Sequence, residues 1–132
     1  MPSRIHHVGV AVADLDESIR IYESALGAQL VHRATNEKER LEAAFLRVGE
    51  GEVELMAALR DDSPVGKFMA KRGPGLHHVA YAVTDIDEAL AEARTSGLEL
   101  IDSEPRIGMH GTRIAFLHPK SVGGVLTELV EA

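Results

Sequence analysis

Cysteine and tryptophan are both absent from this chain of 132 residues, and only three Phe and two Tyr are present. Without cysteine there are no disulfides and no thiolate metal sites, so any metal must be held by His, Asp, Glu or similar ligands. A reducing cytoplasm is the simplest compartment for such a composition. So few aromatics exclude a base-stacking platform, and the basic residues are scattered rather than gathered into a stripe, which argues against a nucleic-acid surface. No apolar run approaches the roughly 20 residues of a membrane span. The opening MPSRIHHVGV lacks a charged region followed by a long apolar one, so no secretory signal is expected. Formal net charge is -7. That balance still permits an anionic small substrate, because a bound metal inverts the local field. Hydrophobic residues make up 45%, enough for a packed core in one domain, or in two small modules sharing a core.

What the chain does have is an internal repeat. Ile5 opens IHHVGVAVADLDESI and Leu76 opens LHHVAYAVTDIDEAL. His6, His7, Val8, Ala11, Val12, Asp14, Asp16 and Glu17 recur 71 residues later, His7 as His78. Each copy reads as a strand (Ile5–Val12, Leu76–Val83), then a helix capped by Asp14 or Asp85, with acidic residues in its first turn. Gly27 and Gly97 end the helices, where a left-handed residue costs glycine little. Further strands are expected at Gln29–Ala34, Leu41–Val48 and Val53–Ala58, and again at Glu99–Asp102, Thr112–Leu117 and Val125–Val130. A helical connector, about Ser63–Lys71, joins the copies and is closed by Gly73-Pro74-Gly75. The expectation is an α+β chain of two β-α-β-β-β modules, about 1–72 and 73–132, making a single domain over 1–132. Its mixed sheet would curve into a cup with helices outside, because apolar sheet faces must be covered.

Alternation along a strand decides which side chains share a face. Val8, Val10 and Val12 should meet the helix, with His7, Gly9 and Ala11 on the other side. In the second copy Val79, Tyr81 and Val83 take the helix side, and His78, Ala80 and Ala82 the other. His6 and His77 then point away, as structural or supporting residues. The last strand of each copy carries one carboxylate among apolar neighbours, Glu54 in VELMAAL and Glu128 in VLTELVE, 74 residues apart. The repeat thus pairs His7 with Glu54 and His78 with Glu128. Two imidazoles and two carboxylates suit a divalent ion such as Co²⁺, Mn²⁺, Ni²⁺, Zn²⁺ or Fe²⁺. An octahedral ion so held keeps two positions for adjacent substrate oxygens.

The stretches IHHVGVAV, VELMAAL, DDSPVGKFMAKRGPGLHHVAYAV and EPRIGMHGTRIAFLHPKSVGGVLTELVE resemble the methylmalonyl-CoA epimerase family of the vicinal-oxygen-chelate superfamily along nearly the whole chain. SPVGKF before GLHH, and FLHPK before GVLTEL, are more specific than the superfamily pattern. The resemblance implies paired β-α-β-β-β modules, usually in a homodimer, and metal ligands at His7, Glu54, His78 and Glu128. Cobalt comes first among the metals it implies, with Mn²⁺, Ni²⁺ and Zn²⁺ as alternatives. The second ligand position is Gln in some relatives and Glu in others. The implied substrate is an acyl-CoA thioester, and the implied reaction interconverts (2R)- and (2S)-methylmalonyl-CoA through a chelated enolate. Two glutamates would serve as acid and base, one matching Glu128 and the other nearest to Glu42. The match at Glu42 is imperfect. Counting back from Glu54 without a gap puts Ala43 at that position and Glu42 on the helix side, and a one-residue bulge would reverse this.

Lys120 in HPKS is a candidate contact for a CoA phosphate, and His110 in GMHGT lies in a loop able to cover the site. His118 before Pro119 reads as structural, and His32 has no pattern around it. No phosphate-binding glycine loop, nucleophile elbow or dinucleotide fingerprint is present. The nearest rival reading is a glyoxalase I-like lyase. An extradiol dioxygenase would want one carboxylate, and an antibiotic-binding protein of the same fold would generally lack the ligands.

Overall fold

Two aspartates start the longer helices as the sequence suggests. A computed structural model describes residues 1–132. In it the Asp14 carboxylate accepts from the Glu17 amide at 3.0 Å, and Asp85 from Glu88 at 3.1 Å. Each cap satisfies an amide that the first helical turn cannot, worth about 1 kcal/mol. In chain order the elements are β1 (Arg4–Ala11), α1 (Leu15–Leu26), β2 (Gln29–Asn36), β3 (Leu41–Val48), β4 (Gly51–Ala58), α2 (Pro64–Arg72), β5 (Gly75–Val83), α3 (Ile86–Thr95), β6 (Arg106–Ile107), β7 (Arg113–Leu117) and β8 (Thr127–Glu131). The β-α-β-β-β order thus occurs twice, with α2 between the copies.

The chain packs as two compact units, a central one of Val8–His77 and a terminal one of Met1–His7 with His78–Ala132. In the central unit the strand order is β2-β3-β4-β1. Strands β3 and β4 pair antiparallel in unbroken register from Leu41 opposite Ala58 to Val48 opposite Gly51, and β2 slips against β3 between Leu30 and His32. Ala44, Leu46 and Leu55 bury one sheet face against Leu15 and Ile19 of α1. Burying each such Leu or Ile contributes about 1.5–3 kcal/mol. Helix α2 starts at Ser63, whose hydroxyl donates to the Arg60 carbonyl and accepts from the Gly66 amide. A side chain at Gly66 would drive its Cβ to 2.6 Å from the Asp61 carbonyl oxygen, so the SPVGKF motif needs glycine there.

In the terminal unit the order is β5-β8-β7-β6, with β5 and β8 parallel and the other pairs antiparallel. Here Val83, Leu117 and Leu129 pack against Ile86, Leu90 and Ala93 of α3. One expected strand is missing. Residues 99–102 form only a single bridge, Leu100 to Leu117, and the strand that follows has just two residues. The Asp102 carboxylate takes the Phe116 amide at 2.8 Å, a donor that a ladder partner would use. Pro105 cannot donate to a ladder at all. Helix α3 also stops one residue early, at Ser96, with Gly97 taking the left-handed turn (φ 84) after it.

Candidate metal centre and active site

The register of β5 and β8 builds most of the site. Ala80 lies beside Glu128, and Tyr81 beside Leu129. Leu129 and Val83 are in the core under α3, with Tyr81 packed against it. Alternation therefore turns His78, Ala80 and Glu128 to the opposite face. Ala80 is too small to cover the carboxylate next to it. His7 joins them from the first half of β1. Its Nε2 lies 3.1 Å from His78 Nε2 and 3.9 Å from a Glu128 carboxylate oxygen, and His78 Nε2 lies 3.3 Å from that same oxygen.

His7 and His78 are each 2% exposed and Glu128 6%, so three donors converge where water is largely excluded. Phe116, opposite Glu128 on β7, sets its ring edge-on to His78 at 5.9 Å and walls the group on one side. Metal bonds of about 2.1 Å separate ligand atoms by about 3 Å at right angles and about 4.2 Å in line. The three separations fall within that range, and two imidazoles with a carboxylate suit a borderline divalent ion. The residues present fit a metal.

Behind His7 lies a residue that strand alternation had assigned to the other side. His6 Nδ1 is 2.8 Å from His7 Nδ1. The His110 ring stands edge-on to His6 at 5.4 Å and lies 6.0 Å from His7, so the glycine-bounded loop does reach this neighbourhood. The paired histidines of the repeat were the available signal. In the second copy the His77 ring packs on Phe68, at 4.9 Å between rings.

In the central unit Glu54 is 5% exposed on β4, opposite Phe45. It shares its face with Ala43 and Met56, away from the side that packs on α1.

Glu42 requires a correction. It pairs with Ala57 in the unbroken β3·β4 register, so no bulge turns it round. Its carboxylate lies on the α1 side, 2.6 Å from Arg33 Nε, and the same guanidinium reaches Asp16 of α1 at 2.6 Å. These bonds, to Asp16 first and Glu42 second, hold the Arg33 guanidinium more firmly protonated than an isolated arginine. Glu42 is part of a helix-to-strand ion cluster. The residue on the Glu54 face at this point of β3 is Ala43.

The remaining candidates are structural where the contacts define them. His118 Nδ1 accepts from the Lys120 amide and starts a short turn over Pro119–Ser121. The Lys120 side chain is exposed. His32 stacks on Phe45 at 6.0 Å.

The family model for the glyoxalase/bleomycin resistance protein/dioxygenase superfamily matches residues 6–116. The chain belongs to that superfamily. It is 35% identical to the mitochondrial methylmalonyl-CoA epimerase of Homo sapiens over 98% of this chain and 74% of the human one. The crystal structure of methylmalonyl-CoA epimerase from Mycobacterium tuberculosis superposes with a TM-score of 0.93 at 41% identity, covering 98% of this chain and 87% of that one. A variant of the Streptomyces coelicolor methylmalonyl-CoA epimerase, solved in complex with 2-nitronate-propionyl-CoA, also gives a TM-score of 0.93, at 40% identity over 98% and 94% of the two chains. Within the superfamily, then, the chain belongs to the methylmalonyl-CoA epimerase family.

Proposed function

We propose that this chain interconverts (2R)- and (2S)-methylmalonyl-CoA, holding one divalent ion per subunit through His7, Glu54, His78 and Glu128. The observation that carries this reading is the buried convergence of His7, His78 and Glu128 in a chain of this family. His7, Glu54 and His78 are also, by type and burial, a set able to hold a metal ion. The substrate's α-carbon lies between a thioester and a carboxylate, and its proton is too weakly acidic to leave unaided. A bound divalent ion would supply positive charge against the negative charge that develops on the substrate oxygens as that proton leaves.

Glu128 is the proposed base. Its carboxylate is buried and flanked by the small Ala80 and by Phe116, so it can meet an α-proton with little competing water. Inversion requires a proton on the opposite face of the carbon. With Glu42 committed to Arg33 and Ala43 on the Glu54 face, β3 supplies no carboxylate for that step. A different donor then returns the proton. The same proposal includes Co²⁺ as the preferred ion, a single domain, a homodimer and a cytoplasmic location. No helix is long and apolar enough to cross a membrane.

The test is α-proton exchange of methylmalonyl-CoA in D₂O followed by NMR, with metal-reconstituted protein and a glutathione hemithioacetal in parallel. Metal-dependent exchange of the thioester is the expected result. Turnover of the hemithioacetal alone would move the reading to a glyoxalase-type lyase, and silence from both to a binding protein.

A further inference from the structure

We propose that His6 is a positioning residue for the metal centre, fixing the His7 ring in the tautomer that presents an unprotonated Nε2 to the ion. This rests on the metal reading of the site given above. A neutral imidazole carries one N–H, on either Nδ1 or Nε2, and only the unprotonated nitrogen can bind a metal. His7 turns Nε2 toward His78 and Glu128, at 3.1 and 3.9 Å, so Nε2 is its ligand atom. The proton must then sit on Nδ1, where it needs an acceptor. That nitrogen lies 2.8 Å from His6 Nδ1. His7 therefore donates and His6 accepts, which requires His6 to carry its own proton on Nε2.

The rings meet nearly edge-on, 77° between planes. The His110 ring stands edge-on to His6 at 80°, 5.4 Å away. A partner of this kind orients a histidine ligand and raises its basicity. In the second copy His77, which occupies the corresponding place in the sequence, has its ring 4.9 Å from that of Phe68.

The experiment titrates Co²⁺ into metal-free wild type, His6→Ala and His6→Asp, following the cobalt absorption bands and the heat of binding. His6→Ala should raise Kd about 10–100-fold, the usual effect of losing such a partner, whereas His6→Asp, which restores an acceptor, should recover most of the affinity. Thermal melting of each metal-free variant separates a folding defect from a ligand defect. Unchanged affinity in His6→Ala, or His6→Asp as weak as His6→Ala, overturns the proposal while leaving the metal site standing. Failure of wild type to bind any Co²⁺ overturns the metal reading and this proposal together. In the Zn²⁺-loaded protein, ¹⁵N-detected histidine spectra should show His6 protonated on Nε2, and protonation on Nδ1 overturns the assignment.

Discussion

The central and terminal units start from the same sequence pattern and use glutamate in two different ways. Each has an arginine that ties the first helical turn to a strand. In the central unit Arg33 joins Asp16 to Glu42, with contacts of 2.6 Å to each. In the terminal unit Arg113 joins Asp87 to Glu131, at 2.9 and 3.0 Å. Each unit also carries one buried glutamate on the face away from the helix, Glu54 in the first and Glu128 in the second. The difference between clamp and site is a matter of strand parity. Glu128 and Glu131 are three residues apart and face opposite ways, just as the β3·β4 register separates Glu42 from Glu54. A strand carboxylate is not a site residue by type. Glu128 is a candidate because it lies on the face that His78 shares.

The sharpest way to break this comparison is to neutralise the two buried glutamates separately. Glu128→Gln should reduce α-proton exchange by about 10²–10⁴-fold, the range for losing a general acid-base group. Glu54→Gln keeps an oxygen donor and should retain metal binding and much of the exchange. Equal losses would mean that Glu128 has no role beyond ligation.

Next in size is a stability effect confined to the central unit. Gly66→Ala should lower stability by about 1–3 kcal/mol, because the added methyl must displace the Arg60–Asp61 backbone. Urea unfolding measures it, and a change below a few tenths would show that α2 can shift without cost. The helix caps should prove equivalent in the two units. Asp14→Ala and Asp85→Ala should each cost about 1 kcal/mol, and a large inequality would mean that one cap has a further role.

The clamps give the smallest effects. Glu42→Gln should leave exchange within about twofold and cost only about 0.2–1 kcal/mol, as partly exposed ion pairs do. A large loss of exchange would restore Glu42 to the chemistry. Glu131 adds a pH signature. Bonds from Arg113, then from the Ile86 amide, hold its pKa below the ordinary 4.5. A depressed folded pKa contributes stability that is present above the unfolded value and lost as pH falls through the folded one. The melting temperatures of wild type and Glu131→Gln should therefore differ at neutral pH and converge below about 4.5. A gap that persists in acid would point to packing rather than charge.

Much of this architecture could be read along the chain. The doubled strand-helix pattern, both aspartate caps and the packing of Val10, Val12 and Val83 toward the helices follow from local periodicity and capping chemistry, which depend on neighbours in sequence. The same alternation put His7 and His78 on the face away from the helices, and the repeat singled out Glu128. Strand β3 was found at its expected bounds, while residues 99–102 were not a strand, because Asp102 chose the Phe116 amide across 14 residues of chain. Glu42 turned on whether β3 carries a bulge, a choice between two registers that differ by one residue and reverse every side chain. Tertiary pairing with β4 made that choice, with Arg33 waiting on the helix side. The contact between His6 and His7 was likewise beyond the sequence, since alternation starts the two side chains on opposite faces of the strand. Residue type and periodicity determine which groups are available and which face of a strand they start from. Only the tertiary structure decides which partner each polar atom finds, because those partners come from segments that the chain brings together by folding.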